Sequence, residues 1–261
     1  MPRFAANLTM LFTEHPFLER FAAAAQSGFD QVEFLFPYEH PVDEVRAALR
    51  EAGLEQVLFN LPAGDWAAGD RGTAADPGRV DEFRAGVDRA LEYAAALDCP
   101  RLNCLAGLRL EGVEHAAQWD VLVDNVRHAA SRLAEAGRTL LVEPVNDKDV
   151  AGFFLPTTTD AIRLLDAVDH PNPRLQFDIY HAQRMEGDVT ARLRELLPRT
   201  AHVQVADNPG RHQPGTGELN YAFLFDELDR LGYDGFVGLE YVPEPDTAGS
   251  LAWRERLEST V

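Results

Sequence analysis

Eight short apolar runs alternate with longer segments of helical periodicity, and this rhythm restricts the fold more than any other feature of the sequence. In the longer segments, apolar residues recur every three or four positions, as on one face of an amphipathic helix. Each apolar run stops at a polar residue. The eight candidate strands end at Asn7, Glu33, Asn60, Asn103, Glu143, Asp178, Gln204 and Glu240. Strands that alternate with helices indicate βα units and a parallel sheet.

The number of units and the chain length favour one architecture. Eight βα units in 261 residues match the size of a (β/α)8 TIM barrel. A doubly wound open sheet is the alternative, but no Gly-rich phosphate turn follows the first strand. No Ser/Gly-rich or Pro-rich linker divides the chain. We therefore predict an α/β fold, a (β/α)8 TIM barrel, as a single domain over residues 1–261.

Charge and composition limit the partners. The formal net charge of −19 repels nucleic acid phosphates and anionic membrane surfaces. We expect no nucleic acid and no membrane as partner, and an anionic substrate would need local cations or a metal ion. Cys99 and Cys104 suggest no disulfide framework. The sequence shows no secretory signal and no apolar stretch of about 18 residues, so we expect a cytoplasmic protein.

The polar strand ends predict a site at the barrel mouth, where the C-terminal ends of the strands build the active site. The last four ends, Glu143, Asp178, Gln204 and Glu240, are spaced by roughly one βα unit each. Three carboxylates at one place repel each other unless each is paired with a loop Arg or Lys, or a cation lies between them. Both arrangements are open at this point. An all-oxygen ligand set without Cys suits Mg²⁺ or Mn²⁺ better than Zn²⁺.

Two histidines lie near these strand ends. His181 follows Asp178 by three residues; it is either a capping or surface residue or, beside a metal ligand, a donor to a substrate oxygen. His202 shares strand parity with Gln204, so it would point into the barrel one layer lower. We interpret His202 as a hydrogen-bonded core residue.

Two Gly/Pro-rich loops are expected to follow strand ends. NLPAGDWAAGDRG runs from Asn60 to Gly72; it is either packed down by its own Trp66 or forms a lid over the site. As a lid it would bring Arg71 to an anionic substrate. PGRHQPGTGELNY, residues 209–221, offers Arg211 and His212 near the same mouth.

These residues resemble a known family. The set Glu143, Asp178, Gln204 and Glu240 is similar to the metal site of the xylose-isomerase-like TIM barrels, a pattern shared by sugar epimerases, isomerases and an endonuclease. The stretches FAANLTMLF, NLPAGDWAAGDRG, LLVEPVN, FDIYHAQRMEG, VQVADNPGRHQPGTGELNY and GLEY resemble the hydroxypyruvate isomerase family over nearly the whole chain. NLPAGDWAAG and PGTGE are the most specific of them. Gln204 stands where many sugar epimerases have a His.

The resemblance implies an isomerase that interconverts hydroxypyruvate and 2-hydroxy-3-oxopropanoate (tartronate semialdehyde) through an enediolate. The four strand-end residues would bind one divalent ion, Mg²⁺ or Mn²⁺, and Glu143 and Glu240 would also move protons. The substrate, a small hydroxy- or oxo-acid, would be bound by His181, Asn60, Arg71 and Arg211. A homo-oligomer is compatible with the resemblance. After EPVN the chain reads Asp147-Lys148-Asp149, where the family pattern predicts His and an aromatic residue, so substrate contacts from this loop would differ.

Three other functions fit parts of the pattern. An isomerase of a four-carbon 2-oxo acid (2-oxo-tetronate type) would use the same ligands, and only the loops 60–72 and 148–154 would differ. A metal-dependent phosphodiesterase acting on damaged DNA would need a basic groove and more His ligands. A non-catalytic sugar-acid-binding barrel would keep the pocket but would not need two opposed carboxylates.

Overall fold

The computed structural model describes residues 2–254, and its centre is a closed barrel of eight parallel strands in sequential order. β1 pairs with β2 on one side and with β8 on the other, which closes the ring. The predicted TIM barrel is confirmed. The strands are β1 Arg3–Asn7, β2 Gln31–Glu33, β3 Glu55–Asn60, β4 Arg101–Cys104, β5 Thr139–Val142, β6 Arg174–Asp178, β7 Thr200–Val205 and β8 Phe236–Leu239.

Helices surround the barrel and cover the outer faces of the strands. They are α1 Arg20–Gln26, α2 Val42–Glu51, α3 Val80–Leu97, α4 His115–Glu135, α5 Thr158–Val168, α6 Ile179–Met185, α7 Val189–Leu196, α8 Tyr221–Arg230 and α9 Thr247–Ser250. The periodicity predicts α1 to α5 and α8. It does not predict α6, α7 and α9, which have at most eight residues and are too short to show a repeated apolar face.

The core lies between the helices and the barrel. In α3, Phe83, Val87, Ala90, Ala94 and Leu97 are buried at helical spacing, so this face packs on the strands. A smaller apolar cluster contains Ala5, Val57, Leu58 and Leu141. None of the helices in residues 2–254 combines the length and the apolar character needed to span a membrane.

All eight predicted strand-end residues are buried at the C-terminal ends of the strands, with exposures between 0% and 5%. The predicted ends agree with the observed strand ends within one residue. Glu143 and Glu240 directly follow β5 and β8, whereas Asn103 and Gln204 precede the last residue of β4 and β7. The barrel therefore presents a ring of polar side chains at its mouth.

Cys99 lies two residues before β4 and Cys104 is the last residue of β4, and both are free and buried. Burial raises the pKa of each thiol to about 12. They are therefore protonated and inert in the folded protein at neutral pH.

Candidate active site

Three carboxylates, those of Glu143, Asp178 and Glu240, are buried together at the barrel mouth. Burial raises the pKa of Glu143 well above its ordinary value, and the charges of Glu240 and Asp178 raise it further. Burial likewise raises the pKa of Glu240 to about 8 and that of Asp178 to about 6. Such groups hold their protons to a higher pH than free carboxyl groups do, unless a cation compensates their charge. A cation at the mouth would therefore be favoured, since it would compensate the charge of the three carboxylates.

Asp178 is one of these buried carboxylates and is also the N-cap of α6. Its Oδ1 accepts hydrogen bonds from the backbone N–H groups of Tyr180 at 2.7 Å and His181 at 3.4 Å. Its Oδ2, like Oε2 of Glu240, has no hydrogen-bond partner among residues 2–254. Buried anionic oxygens without a donor are costly. Two such oxygens in an all-oxygen setting fit a hard divalent cation.

His181 lies in the first turn of α6 and faces the carboxylates. Its Nε2 is 3.6 Å from Oδ2 of Asp178 and 4.0 Å from Oε1 of Glu143. Donor atoms of these three residues all lie within 4.8 Å of one another, so the group could hold a metal ion. The pKa of His181 is well below its ordinary value because the ring is buried and lies near the positive charges of Arg211 and Arg184. The ring is therefore neutral at pH 7.

Gln204 lies beside Asp178, its register partner on the neighbouring strand. Its Nε2 donates to Oε1 of Glu33 at 2.8 Å, and its Oε1 accepts from Nε2 of Gln176 at 2.6 Å. Because an amide oxygen has two lone pairs, Oε1 of Gln204 retains one that could face an ion beside its bond from Gln176.

Glu33, at the end of β2, joins several strands through its hydrogen bonds. Besides Gln204, it accepts from Nδ2 of Asn7 at 3.0 Å, and its Oε2 is 2.6 Å from Nε2 of His202. His202 is thus the hydrogen-bonded core residue that its strand parity indicates. The Glu33 carboxylate fills the space over Gly238, where an added Cβ would lie 2.4 Å from both of its oxygens. Only glycine leaves room for Glu33 at this position of β8.

Arg211 supplies a cation at the mouth. Its Nη2 donates to Oε1 of Glu240 at 3.2 Å, and its guanidinium lies 5.2 Å from the ring centre of Tyr180. Burial lowers its pKa, but the nearby charges of Glu240, Asp178 and Glu143 outweigh this, and the net pKa is raised. Arg211 is therefore a charged, partly enclosed group that can receive an anion against the overall field.

The loop that carries Arg211 is held by one buried carboxylate, that of Asp207. Its two oxygens accept hydrogen bonds at 2.8–3.1 Å from the backbone N–H groups of Asn208, Gly215, Gly217 and Leu219. Arg211 itself has a φ of 58°, a left-handed conformation that an ordered loop must hold in place. Its position at the mouth is thus fixed before any ligand binds.

Asn60 and Asn103 reach the site from β3 and β4. Nδ2 of Asn103 donates to Oε2 of Glu143 at 2.8 Å and lies 3.3 Å from Oδ1 of Asn60. In the described chain, Nδ2 of Asn60 has no partner, which leaves it as a donor for a ligand. Asn103 was recognised as a strand end but was not among the predicted site residues.

Arg71 makes its contacts within its own loop. Its Nη1 donates to the carbonyl oxygens of Trp66 at 3.1 Å and Asp70 at 2.6 Å, and its guanidinium stacks 4.1 Å from the Trp66 ring centre. Trp66 is 40% exposed and packs against Phe36. Arg71 would have to leave this stack to reach a substrate. His212 instead faces the carbonyl of Val242 at 2.9 Å, on the outer side of its loop.

A second polar network, which the site prediction missed, lies behind His181. Oδ2 of Asp149 accepts from the hydroxyl of Tyr180 at 2.7 Å and from Nδ2 of Asn146 at 3.0 Å, and Oδ1 lies 3.3 Å from Nη2 of Arg184. Burial raises the pKa of Asp149, but these hydrogen bonds and charges outweigh burial and lower it overall. The unusual residues 147–149 were the only trace of this network in the sequence.

Comparison with known proteins finds relatives of this chain in sequence and in structure. A family model described as xylose isomerase-like TIM barrel matches residues 21–258. The hydroxypyruvate isomerase of Escherichia coli (strain K12) is 47% identical over 255 residues, which cover 98% of this chain and 99% of that protein. The 2-oxo-tetronate isomerase of Cupriavidus necator is 48% identical over 253 residues, which cover 97% of each chain. A crystal structure named AP endonuclease, family 2, from Brucella melitensis is 48% identical with a TM-score of 0.95, covering 98% of this chain and 99% of that one.

Proposed function

The chain belongs to the xylose isomerase-like TIM barrels, in the family of the hydroxypyruvate and 2-oxo-tetronate isomerases, and from this premise we propose that it isomerises a small 2-oxo hydroxy acid, with hydroxypyruvate as the first candidate. The product would be 2-hydroxy-3-oxopropanoate. The observation that carries the proposal is a pair of buried acids, Glu143 and Glu240, beside a partly buried arginine, Arg211. The pair can transfer protons and the arginine can hold an acid.

The proposed reaction moves a proton between neighbouring carbons. A carboxylate removes a proton from C3 of hydroxypyruvate to give an enediolate, and an acid returns a proton to C2. The proton of the C3 hydroxyl passes to the C2 oxygen, so that C3 becomes the aldehyde carbon and C2 carries the hydroxyl. Efficient acid–base groups have pKa values near the working pH. Burial and the charges of Asp178 and Glu33 raise the pKa of Glu240 to about 8, close to a neutral working pH, and burial with the charges of Glu240 and Asp178 raises the pKa of Glu143 in the same direction. One would act as base and the other as acid, and the reverse reaction exchanges their roles.

Glu143, Asp178, Gln204 and Glu240 would hold one divalent ion, with Mg²⁺ or Mn²⁺ preferred by their oxygen donors. When bound, the ion would stabilise the negative charge that develops on the substrate oxygens. Support comes from the orphaned oxygens of Asp178 and Glu240. The Asn103 bond to Glu143 would orient this carboxylate without using its second oxygen.

Binding of the acid would rely on groups that converge from the end of β3, the first turn of α6 and the loop after β7. Arg211 would pair with the substrate carboxylate, and His181 and Asn60 would donate to its other oxygens. Because Asp207 holds the Arg211 loop in place, little ordering would be needed on binding. A reaction on a molecule this small would need such enclosure, since it offers few contacts.

A four-carbon acid is the competing substrate. Relatives named 2-oxo-tetronate isomerase are 48%, 44% and 41% identical to this chain, so they support it as strongly as the E. coli relative supports hydroxypyruvate. Both substrates would use the same carboxylates. They differ by one carbon, and the loops 60–72 and 148–154 would have to accommodate it.

The deciding experiment follows purified protein with hydroxypyruvate in D₂O by proton NMR, with and without EDTA, and repeats it with 2-oxo-tetronate. We expect loss of the C3 proton signal of hydroxypyruvate and appearance of 2-hydroxy-3-oxopropanoate, both slowed by EDTA. Reaction of the four-carbon acid alone would retain the mechanism and replace the substrate. Absence of exchange with either acid would reject the isomerase and favour a binding protein.

The phosphodiesterase alternative has less support, although one structural relative has an endonuclease name. The charge of −19 opposes DNA binding. In residues 2–254, one group of His, Cys, Asp and Glu side chains has metal-ligand spacing, that of Glu143, Asp178 and His181. Incubation with a duplex containing an abasic site is the matching control, and we expect no cleavage.

A further inference from the structure

The side-chain amide of Asn146 has a fixed orientation. Its Oδ1 accepts from the backbone N–H groups of Lys148 at 3.1 Å and Asp149 at 2.9 Å, and its Nδ2 donates to Oδ2 of Asp149 at 3.0 Å. A flipped amide would place its NH₂ against two N–H donors and its oxygen against a carboxylate. Amide orientation is assigned from hydrogen-bond partners, and here the three partners permit one assignment.

This orientation determines which ring nitrogen of His181 carries the proton. Nδ2 of Asn146 lies 2.7 Å from Nδ1 of His181, and the backbone N of Asn146 lies 3.4 Å from the same atom. Both are donors, so Nδ1 of His181 must accept. A neutral imidazole has one donor and one acceptor nitrogen. The proton is therefore on Nε2, the atom that faces Asp178 and Glu143.

We propose that Asn146 is a positioning residue that keeps His181 protonated on Nε2, so that His181 donates a hydrogen bond to a substrate oxygen and is excluded from the metal ligands. Its catalytic part rests on the proposed function, since it assigns His181 to the substrate. The tautomer itself does not depend on that function.

The surroundings of His181 are the opposite of those of a metal-binding histidine. A ligating imidazole uses a nitrogen without a proton, and its other N–H donates to a carboxylate, a backbone carbonyl or water. At His181 the other nitrogen meets two donors from Asn146. Although His181 is close enough to Glu143 and Asp178 to complete a metal site, its hydrogen bonds reserve it for donation.

The tautomer can be measured directly. We expect long-range ¹H–¹⁵N spectra of protein labelled with ¹⁵N-histidine to show His181 protonated on Nε2 and unprotonated on Nδ1, with no change on adding Mg²⁺. The signal is assigned by its loss in His181→Gln. A proton on Nδ1, or loss of the Nε2 proton when Mg²⁺ binds, would overturn the proposal. This result is independent of which substrate, if any, the enzyme isomerises.

A double variant that exchanges the two side chains, Asn146→Asp with Asp149→Asn, tests the role of Asn146. A carboxylate at 146 can accept from the same backbone N–H groups and from the amide at 149, so the charge and most local hydrogen bonds are kept, but it requires a proton on Nδ1 of His181. We expect the tautomer to change, Zn²⁺ affinity to rise and kcat/KM to fall, each by about tenfold or more, the range reported for groups that orient metal ligands. An unchanged tautomer would reject the proposal, and a changed tautomer with activity within about twofold would reject its catalytic part.

Two controls separate this effect from general damage. Asp149→Asn alone leaves Asn146 facing His181, and we expect its tautomer to be unchanged. Asn125→Ala removes another buried amide, which donates to the carbonyl of Ala74 at 2.9 Å on the outer helix α4. We expect Asn125→Ala to lower thermal stability but not to alter the His181 spectrum or kcat/KM.

Discussion

At the scale of single residues, the site depends on acids that are kept close together in a buried place. Glu240 has one oxygen against Arg211 and one without a partner in the described chain. Its charge also raises the pKa of Glu143. We expect an acid with these contacts to contribute to reactivity rather than to stability.

Replacing Glu240 by Gln tests this directly. Because the amide cannot accept or return a proton, we expect kcat to fall by about 10²–10⁴ or more. Loss of a buried like charge should leave the melting temperature of metal-free protein unchanged or higher. Turnover assays and thermal unfolding measure the two effects. A near-normal rate would remove Glu240 from the mechanism.

Replacing His181 by Ala tests the donor role. Loss of a hydrogen bond to a substrate oxygen should lower kcat/KM by about tenfold or more, since hydrogen bonds with a charged partner contribute about 1.5–3 kcal/mol. Divalent-ion affinity, measured by calorimetry, should change little if His181 is not a ligand. An effect on kcat/KM below about twofold would leave His181 with only a structural role in α6.

At the scale of elements, the residues of the candidate site lie at the strand ends. The space between neighbouring strands limits how large a side chain each strand position can have. β8 illustrates this, because Gly238 lies beneath the Glu33 carboxylate that holds Gln204 and His202. The smallest residue in one strand therefore makes room for a hydrogen-bond network that starts in another.

Gly238→Ala should displace Glu33 and destabilise the protein, by about 1–3 kcal/mol for the overpacking. It should also weaken divalent-ion binding, because Gln204 loses the bond that orients it. Gly86→Ala in α3 is the matched control, since its added Cβ meets Pro62 at an ordinary 3.4 Å and alanine favours a helix. Equal effects of the two substitutions on unfolding and on ion titration would contradict this interpretation.

The sequence predicted the elements of the site better than its contacts. A strand that ends on a buried acid is visible in the sequence as an apolar run followed by Glu143 or Asp178. The pairing of Asn146 with His181 joins the loop after β5 to helix α6 across 35 positions of the sequence, and no local pattern encodes it. Nor could the sequence show that Arg71 stacks on Trp66 within its own loop. Side-chain direction in loops depends on tertiary packing.

At the scale of the whole molecule, the raised pKa values link folding to pH. Glu240 titrates near 8 and Asp178 near 6 in the folded chain, above the ordinary range for carboxyl groups, about 4. The folded state therefore holds these protons more tightly than the unfolded state does. Their contribution to stability is complete below about pH 4 and is lost as pH rises through the folded values.

We therefore expect the melting temperature of metal-free protein to contain a component that falls as pH increases from about 5 to 9. Mg²⁺ or Mn²⁺ should raise the melting temperature more at pH 8 than at pH 6, since ligands must lose their protons before they bind. Thermal unfolding over this range, with EDTA or with added ion, measures both. Glu240→Gln, which lacks one of the titrating groups, should show a weaker dependence on pH.

The reactivity of the two buried thiols reports how often the barrel opens. Cys99 lies just before β4, Cys104 ends it, and both are buried. Because neither thiol is accessible while β4 is packed, their rate of alkylation measures how often this part of the wall opens. The wall closes on itself through the β1–β8 pairing, so opening at β4 exposes the barrel interior to water. A ligand that binds only the closed ring should slow the labelling in proportion to its occupancy. Thiol labelling thus measures opening of the closed ring of strands as a rate, with the two cysteines that the sequence already contains.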